Sequence, residues 1–244
     1  MNQPLISIVV PTLQEEKLIT RLVDQFTPEL RSHHKLEIII SDGGSSDRTV
    51  ELARPRVDVL VLPDGAGTEN ISTGRNRGAR AARGKILVFL NADVRLQDPG
   101  RFFQVISTLI ERPGIAALTC KVRVYPEEES WIDRVFHAGA NTYFRLLNIL
   151  GMGMGRGECH VVRGDLFQKV GGYDESIVAG ADFELFHRLR RLGKIKYAPG
   201  MVVFESPRRY RKHGYRRVAL LWFLNALCVL FSHRPFVREW EPVR

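Results

Sequence analysis

Asn91 and Asp93 stand directly behind the apolar run KILVFL, at the start of the segment NADVRL. A buried carboxylate without a partner is costly, so the chain is expected to surface there and offer Asp93 to something positive, such as a metal ion. Two more polar, acidic segments follow apolar runs in the same way, PTLQEE (11–16) behind LISIVV and SDGGSSDRT (41–49) behind LEIII. In the second, the glycines allow close approach of backbone to a ligand, and Asp42 is suited to accept hydrogen bonds from a base or ribose. Ser46 and Asp47 are placed to cap the next helix. The stretch STGRNRGARAARG (72–84) carries four arginines. Arg75 lies near its start, where helix amides favour anions, and is a candidate for a phosphate or base; the other three read as surface.

The elements that must position these residues follow from periodicity. LISIVV, LEIIIS, RVDVLVL and KILVFL are uniformly apolar strands, and helical patterns lie between them: EEKLITRLVDQF, with apolar residues at 18, 19, 22, 23 and 26, then RTVELAR, then 72–83. That alternation is the pattern of a doubly wound α/β sheet, largely parallel and covered on both faces. Ligands in such sheets sit beyond the carboxyl ends of the strands, where all three acidic segments fall. Beyond residue 115 the chain turns mixed, with strands IAALT, KVRVY and ECHVVR, a flexible glycine-rich GMGMGRG, and helices GDLFQKV and ADFELFHRLRRLG, the last closed by Gly193.

Composition bounds the rest. The chain has 244 residues, 44% of them hydrophobic and 26% charged, enough for one domain with an elaboration. The N-terminal MNQPLISIVVPT does not read as a secretory signal. Cys120, Cys159 and Cys228 form no C-x-x-C pair, so a reduced, cytoplasmic setting is expected. Residues 206–244 carry nine Lys/Arg and two Glu, most of the net charge of +9. A charge so localised suits a local anion site or a membrane-facing tail on the inner leaflet, and the aromatic residues do not interleave with it as a nucleic-acid platform would. The run VALLWFLNALCVLF (218–231) is too short to span a bilayer. It is expected to pack on the sheet or on a second subunit, or to lie on a membrane with Trp222 and Trp240 at headgroup depth.

SIVVPTLQEEKLI, EIIISDGGSSDRTV, GRNRGARAARGKILVFLNADVRL and GGYDESIVAGADFELFHRLRRLG, in this order and spacing, resemble the family 2 glycosyltransferases over roughly residues 5 to 200. The resemblance implies a GT-A fold, a Rossmann-like, mostly parallel central sheet with helices on both faces, here followed by a helical tail. It divides the chain into a domain at 1–205, with a nucleotide-binding half (1–114) and an acceptor half (115–205), and a tail at 206–244. It implies an inverting, metal-dependent hexosyltransferase that takes a sugar from a nucleoside diphosphate, UDP before GDP, to a hydroxyl or lipid-phosphate acceptor.

Carried over by position, Pro11, Thr12 and Glu15 belong to the first nucleotide loop, Asp42 to the base-binding loop, and Arg75 to the basic residue near the nucleotide. Asn91-Ala92-Asp93 stands at the family's Asp-x-Asp signature, with Asn91 in the first position and Asp93 kept to touch Mn²⁺ or Mg²⁺. Asp182, in Ala181-Asp182 where the family often has Glu-Asp, is the implied catalytic base, with Glu184 a weaker substitute. Tyr173 is expected to be structural, His160 a packed histidine, and GMGMGRGECH part of the acceptor loop. RRYRKH resembles a segment that follows the catalytic domain in one bacterial subgroup, so Arg208, Arg209, Arg211 and His213 are placed to fold over the leaving diphosphate, with His213 a further metal ligand. Two alternatives stand beside this reading. One is a non-catalytic nucleotide-binding or membrane-scaffold protein in which Asn91 marks lost catalysis. The other is a nucleotidyltransferase, which would normally carry a glycine-rich basic loop where this chain has the acidic PTLQEE.

Overall fold

The computed structural model describes residues 5–65 and 69–232. Four parallel strands, β1 (Ile6–Thr12), β2 (Leu36–Asp42), β3 (Val59–Val61) and β4 (Ile86–Leu90), lie in the order β3-β2-β1-β4. Successive side chains on a strand point to opposite faces. Ile6, Ile8 and Val10 accordingly join one core with Ile38, Ile40 and Val88. Val9, Ile39, Leu87 and Phe89 join a second core on the other face. Both faces are covered, which is why these runs are apolar throughout rather than alternating.

The helices of this half are α1 (Ile19–Val23), α2 (Pro28–His34), α3 (Thr49–Ala53) and α4 (Ile71–Ala81). α4 is capped by Asn70, whose side chain accepts from the amides of Ser72 and Thr73. It packs on β1 and β2. The approach is close enough that a Cβ on Gly78 would stand 2.4 Å from Val9 Cγ1. Gly78→Ala is therefore expected to destabilise the fold by ~1–3 kcal/mol, read as a lower urea midpoint with an unchanged slope.

The sheet continues through β5 (Arg95–Leu96), β6 (Ile115–Val124), β7 (Cys159–Arg163) and β8 (Lys194–Glu205), giving the full order β3-β2-β1-β4-β7-β6-β8-β5. β7 runs antiparallel to both β4 and β6, β6 and β8 are parallel, and β5 is antiparallel to β8. The second half is thus mixed, as expected, and one sheet crosses both halves. Its helices are α5 (Pro99–Ile110), α6 (Trp131–Ile149), α7 (Gly164–Lys169), α8 (Ala181–Arg190), α9 (Arg208–His213) and α10 (Tyr215–Ser232).

Several elements differ from the sequence reading. The first helix is confined to residues 19–23, because Gln25 is tied to β5, accepting from Leu96 N at 2.7 Å and donating to Val94 O at 3.3 Å, and Pro28 opens a new helix. IAALT and KVRVY form one ten-residue strand. β8 has no counterpart in that reading because Pro199 and Gly200 interrupt it. Its pairing with β6 jumps from Cys120–Ala198 to Lys121–Val202, looping out residues 199–201, and a proline without an amide hydrogen is tolerated at such a bulge. α6 is also new. Its polar residues face inward, so its pattern did not read as a helix facing a core, although Ser130 and Asp133 form a capping box at its start. The tail helix packs on α6 and α8 instead of the sheet, with Trp222 against Phe136, Phe144 and Tyr210. Trp240 lies outside the described residues.

Candidate active site

A cleft of about 490 Å³ opens at the carboxyl ends of β1, β2 and β4. It gathers Pro11 and Thr12 from the end of β1, Glu15 from the loop that follows, Arg75 from α4, Asn91 and Asp93 from the loop after β4, Asp182 from α8, and Arg208 and Arg209 from α9. Of the site residues read from the sequence, these nine meet in this one space, whereas Asp42, Glu184, Arg211 and His213 do not line it.

Asp42 stands behind the cleft wall and not in it. Its carboxylate is fully buried and accepts from Thr12 Oγ1 at 2.8 Å, the amides of Gly44 and Ser45 at 2.9 and 2.7 Å, and Ser45 Oγ at 2.6 Å. With both oxygens engaged, it locks the first two loops together. Ser41 and Gly43 form the cleft wall there. Asp47 accepts from the Thr49 amide at 3.0 Å, but the N-cap position of α3 is Arg48, which makes no side-chain cap bond.

Arg75 lies under the cleft. Its Nη2 donates to Asn91 Oδ1 at 3.0 Å and to Gly157 O at 2.6 Å, and its guanidinium sits 5.2 Å from the centre of the Tyr173 ring. It therefore orients Asn91 and supplies positive potential from below. Tyr173 is structural: it is buried, its hydroxyl is 2.8 Å from His160 Nδ1, and its backbone is clamped by Asn76 on both sides. Burial, with Arg75 nearby, holds His160 well below the usual histidine range, so it is a neutral packed side chain.

Asp93 is paired inside the protein. Arg208 Nη2 lies 3.1 Å from its Oδ2 and 3.8 Å from Glu15 Oε1, and the Tyr125 hydroxyl donates to the Asp93 backbone carbonyl. Burial raises the Asp93 carboxyl above its usual range against the pull of Arg208. Among the described residues, no three His, Cys, Asp or Glu side chains form a ready cage for a metal. One carboxylate, 19% exposed and facing the cleft, fits a Mg²⁺ or Mn²⁺ ion that takes most of its oxygens from a diphosphate and water. Arg208 would then give up its hold on that carboxylate.

Asp182 sits in the first turn of α8, behind Gly180, which caps the helix in the left-handed conformation (φ 85°) that its missing side chain permits. Asp182 is therefore not the cap. Burial pushes its carboxyl up to about 6, the charge of Glu158 pushes in the same direction, and Arg75 opposes both. Glu184 is taken up by Arg188, with contacts of 2.5 Å from each of its oxygens, and does not line the cleft.

Three cleft residues escaped the sequence reading: Arg156, Glu158 and Glu205. Buried Arg156 reaches Glu158 at 3.3 Å and Glu205 at 3.4 Å, and the Tyr210 hydroxyl donates to Glu205 at 2.8 Å. Burial opposes charge on Glu158, but Arg156 more than offsets it and keeps Glu158 ionised. Burial and the Glu158 charge push Glu205 well above the usual carboxylate range, against the pull of Arg156. The amide of Asn91 donates to Glu158 O at 3.3 Å, which brings this group beside Asp93. The available signal was a pair of opposite charges inside GMGMGRGE. That segment is packed and not flexible: Cβ atoms on Gly153 and Gly155 would stand 2.6 and 2.7 Å from Phe186. Of the tail residues, Arg211 turns away to the Glu128 carbonyl at 2.6 Å, and neither it nor His213 lines the cleft.

A family model described as "Glycosyl transferase family 2" matches residues 7–171. Among curated proteins, the chain is 29% identical over 213 residues to the O-antigen biosynthesis protein RfbC of Myxococcus xanthus, covering 78% of this chain and 16% of RfbC. It is 26% identical over 223 residues to the validoxylamine A glucosyltransferase of Streptomyces hygroscopicus subsp. limoneus, covering 78% of this chain and 49% of that protein. The chain thus spans half or less of the length of these two relatives. Among solved structures, the mannosyltransferase PcManGT from Pyrobaculum calidifontis, in complex with GDP-Man and Mn²⁺, superposes with a TM-score of 0.71 at 19% identity, over 95% of this chain and 64% of that one. Glucosyl-3-phosphoglycerate synthase from Mycobacterium tuberculosis, in complex with Mn²⁺, UDP and glucosyl-3-phosphoglycerate, does so with a TM-score of 0.61 at 19% identity, over 94% and 79%. The fold is of the same GT-A kind.

Proposed function

The chain belongs to glycosyl transferase family 2, and from that premise we propose that it transfers a hexose from a nucleoside diphosphate to a hydroxyl or lipid-phosphate acceptor, with inversion at the anomeric carbon. The observation that carries this reading is the meeting of Asp93 and Asp182 in one cleft, drawn from opposite halves of the chain. One carboxylate is paired with Arg208, and the other is raised to about 6. In this reading residues 1–114 hold the nucleotide, residues 115–205 hold the acceptor, and the tail at 206–244 closes on the phosphates. UDP is favoured over GDP, and the enzyme works in the cytoplasm.

The chemistry follows from the residues. Thr12, Glu15 and Gly43, which line the cleft, would border the nucleotide, and Asn91, held by Arg75, would face the diphosphate. A divalent ion at Asp93 would neutralise the diphosphate and ease its departure. Asp182 takes the proton of the acceptor hydroxyl as that oxygen bonds to the anomeric carbon. On the opposite side the bond from that carbon to the diphosphate oxygen breaks, and the electron pair leaves with the nucleoside diphosphate. Arg208 and Arg209 meet the negative charge that grows there.

The test is to incubate the protein with a panel of nucleotide sugars and acceptors, measure release of nucleoside diphosphate, and read the anomeric configuration of the product by NMR. Retained configuration, or no release from any donor, would overturn the reading. Arg209→Ala is expected to lower kcat/KM by ~10²-fold, as does removal of one donor to a developing anion in other enzymes. Unchanged turnover and unchanged nucleotide affinity would remove Arg209 from this role.

A further inference from the structure

α6 is built inside out. Its buried face carries Asp133, His137, Asn141 and Asn148, and the first, third and fourth of these bond to Tyr215, to the Val122 backbone and to Met154. Its outer face carries Trp131, Val135, Leu146 and Ile149, which are 72, 64, 52 and 68% exposed. At 3.6 residues per turn these four fall within an arc of about 60°. An exposed apolar stripe of this kind marks an interaction surface.

Beside the stripe, an apolar groove of about 410 Å³ runs between α6 and α10, walled by Val135 and Tyr143 on one side and Ala219 and Phe223 on the other. Phe144, Phe183 and Trp222 line both this groove and the catalytic cleft, so the two spaces share an apolar wall next to Asp182. Arg145 on α6 and Arg216 and Arg217 at the start of α10 are exposed. Arginines beside an apolar stripe complement anionic lipid headgroups, whereas in a symmetric dimer they would add like charges to both sides of the interface. No described helix is long and apolar enough to cross a membrane, so the contact is one that lies on the surface.

We propose that the stripe of α6 and the adjoining side of α10 seat the protein on an anionic leaflet, and that the groove leads the hydrocarbon chain of a membrane-lipid acceptor to the cleft. This rests on the glycosyltransferase reading and names the acceptor class.

The test uses the full chain and vesicles of phosphatidylcholine with or without phosphatidylglycerol. The wild type should sediment with the anionic vesicles, and the Leu146→Asp/Ile149→Asp double variant should lose at least ~10-fold of that binding while keeping its affinity for nucleoside diphosphates. In a Trp131→Phe/Trp240→Phe background, Trp222 fluorescence should be quenched by vesicles whose acyl chains are brominated. Vesicle binding that is absent, or equal in the double variant, overturns the seating. Binding without quenching overturns the groove. Self-association that the double variant loses, with no vesicle binding, would assign the face to a second copy and overturn the proposal. Failure to bind any nucleotide is a separate result, and it would instead sink the glycosyltransferase reading.

Discussion

Asp182→Asn is expected to lower kcat for sugar transfer by ~10²–10⁴-fold, the usual contribution of a positioned general base, while leaving nucleotide affinity in place. The same substitution should make the protein more stable at neutral pH. Burial raises the Asp182 carboxyl from 3.8 to about 6, so between these values the folded chain binds more protons than the unfolded one, and stability falls as pH rises through that window. At pH 7 the ionised carboxylate costs at most ~3 kcal/mol, less because it opens onto the cleft. Asparagine cannot ionise, so the gain in Tm should be larger at pH 7.5 than at pH 4.5. The wild-type rate, which needs Asp182 deprotonated, should fall as pH drops through about 6. An Asn variant with wild-type turnover would show that Asp182 is not the base. A pH-independent difference in Tm would contradict its burial as a charge.

How far the sequence could be read depended on which way side chains face. β1, β2 and β4 are apolar on both sides and bounded by polar loops, so their positions and the cleft at their ends were legible from periodicity alone. α6 was not legible, because a helix that buries Asp133, His137 and Asn141 and exposes Trp131 and Leu146 inverts the pattern by which helices are recognised. Asp42 shows a different limit. Its residue type suited a base contact, but whether its oxygens point into the cleft or back to Thr12 and Ser45 depends on loop geometry that spacing does not determine. Arg156, Glu158 and Glu205 form a buried network closed across two distant segments. Each alone reads as an ordinary surface residue.

The second large effect concerns Asp93. If its carboxylate holds the ion that bridges protein and diphosphate, Asp93→Ala should abolish the metal-dependent part of nucleotide binding and with it most of the turnover. Asn91 supplies a neutral amide oxygen, already accepting from Arg75 at 3.0 Å, in place of a carboxylate.

The most direct measurement is the melting temperature of the wild type and Asp93→Ala with UDP, GDP and their sugars, each with and without Mn²⁺ or Mg²⁺. A ligand at 100 times its Kd stabilises the native state by about 2.7 kcal/mol, which for a chain of this size is a rise of ~5–10 °C. The account predicts such a rise for the wild type with one nucleotide and a divalent ion together, and its loss in Asp93→Ala. No rise with any nucleotide, or a rise that Asp93→Ala keeps in full, would contradict it.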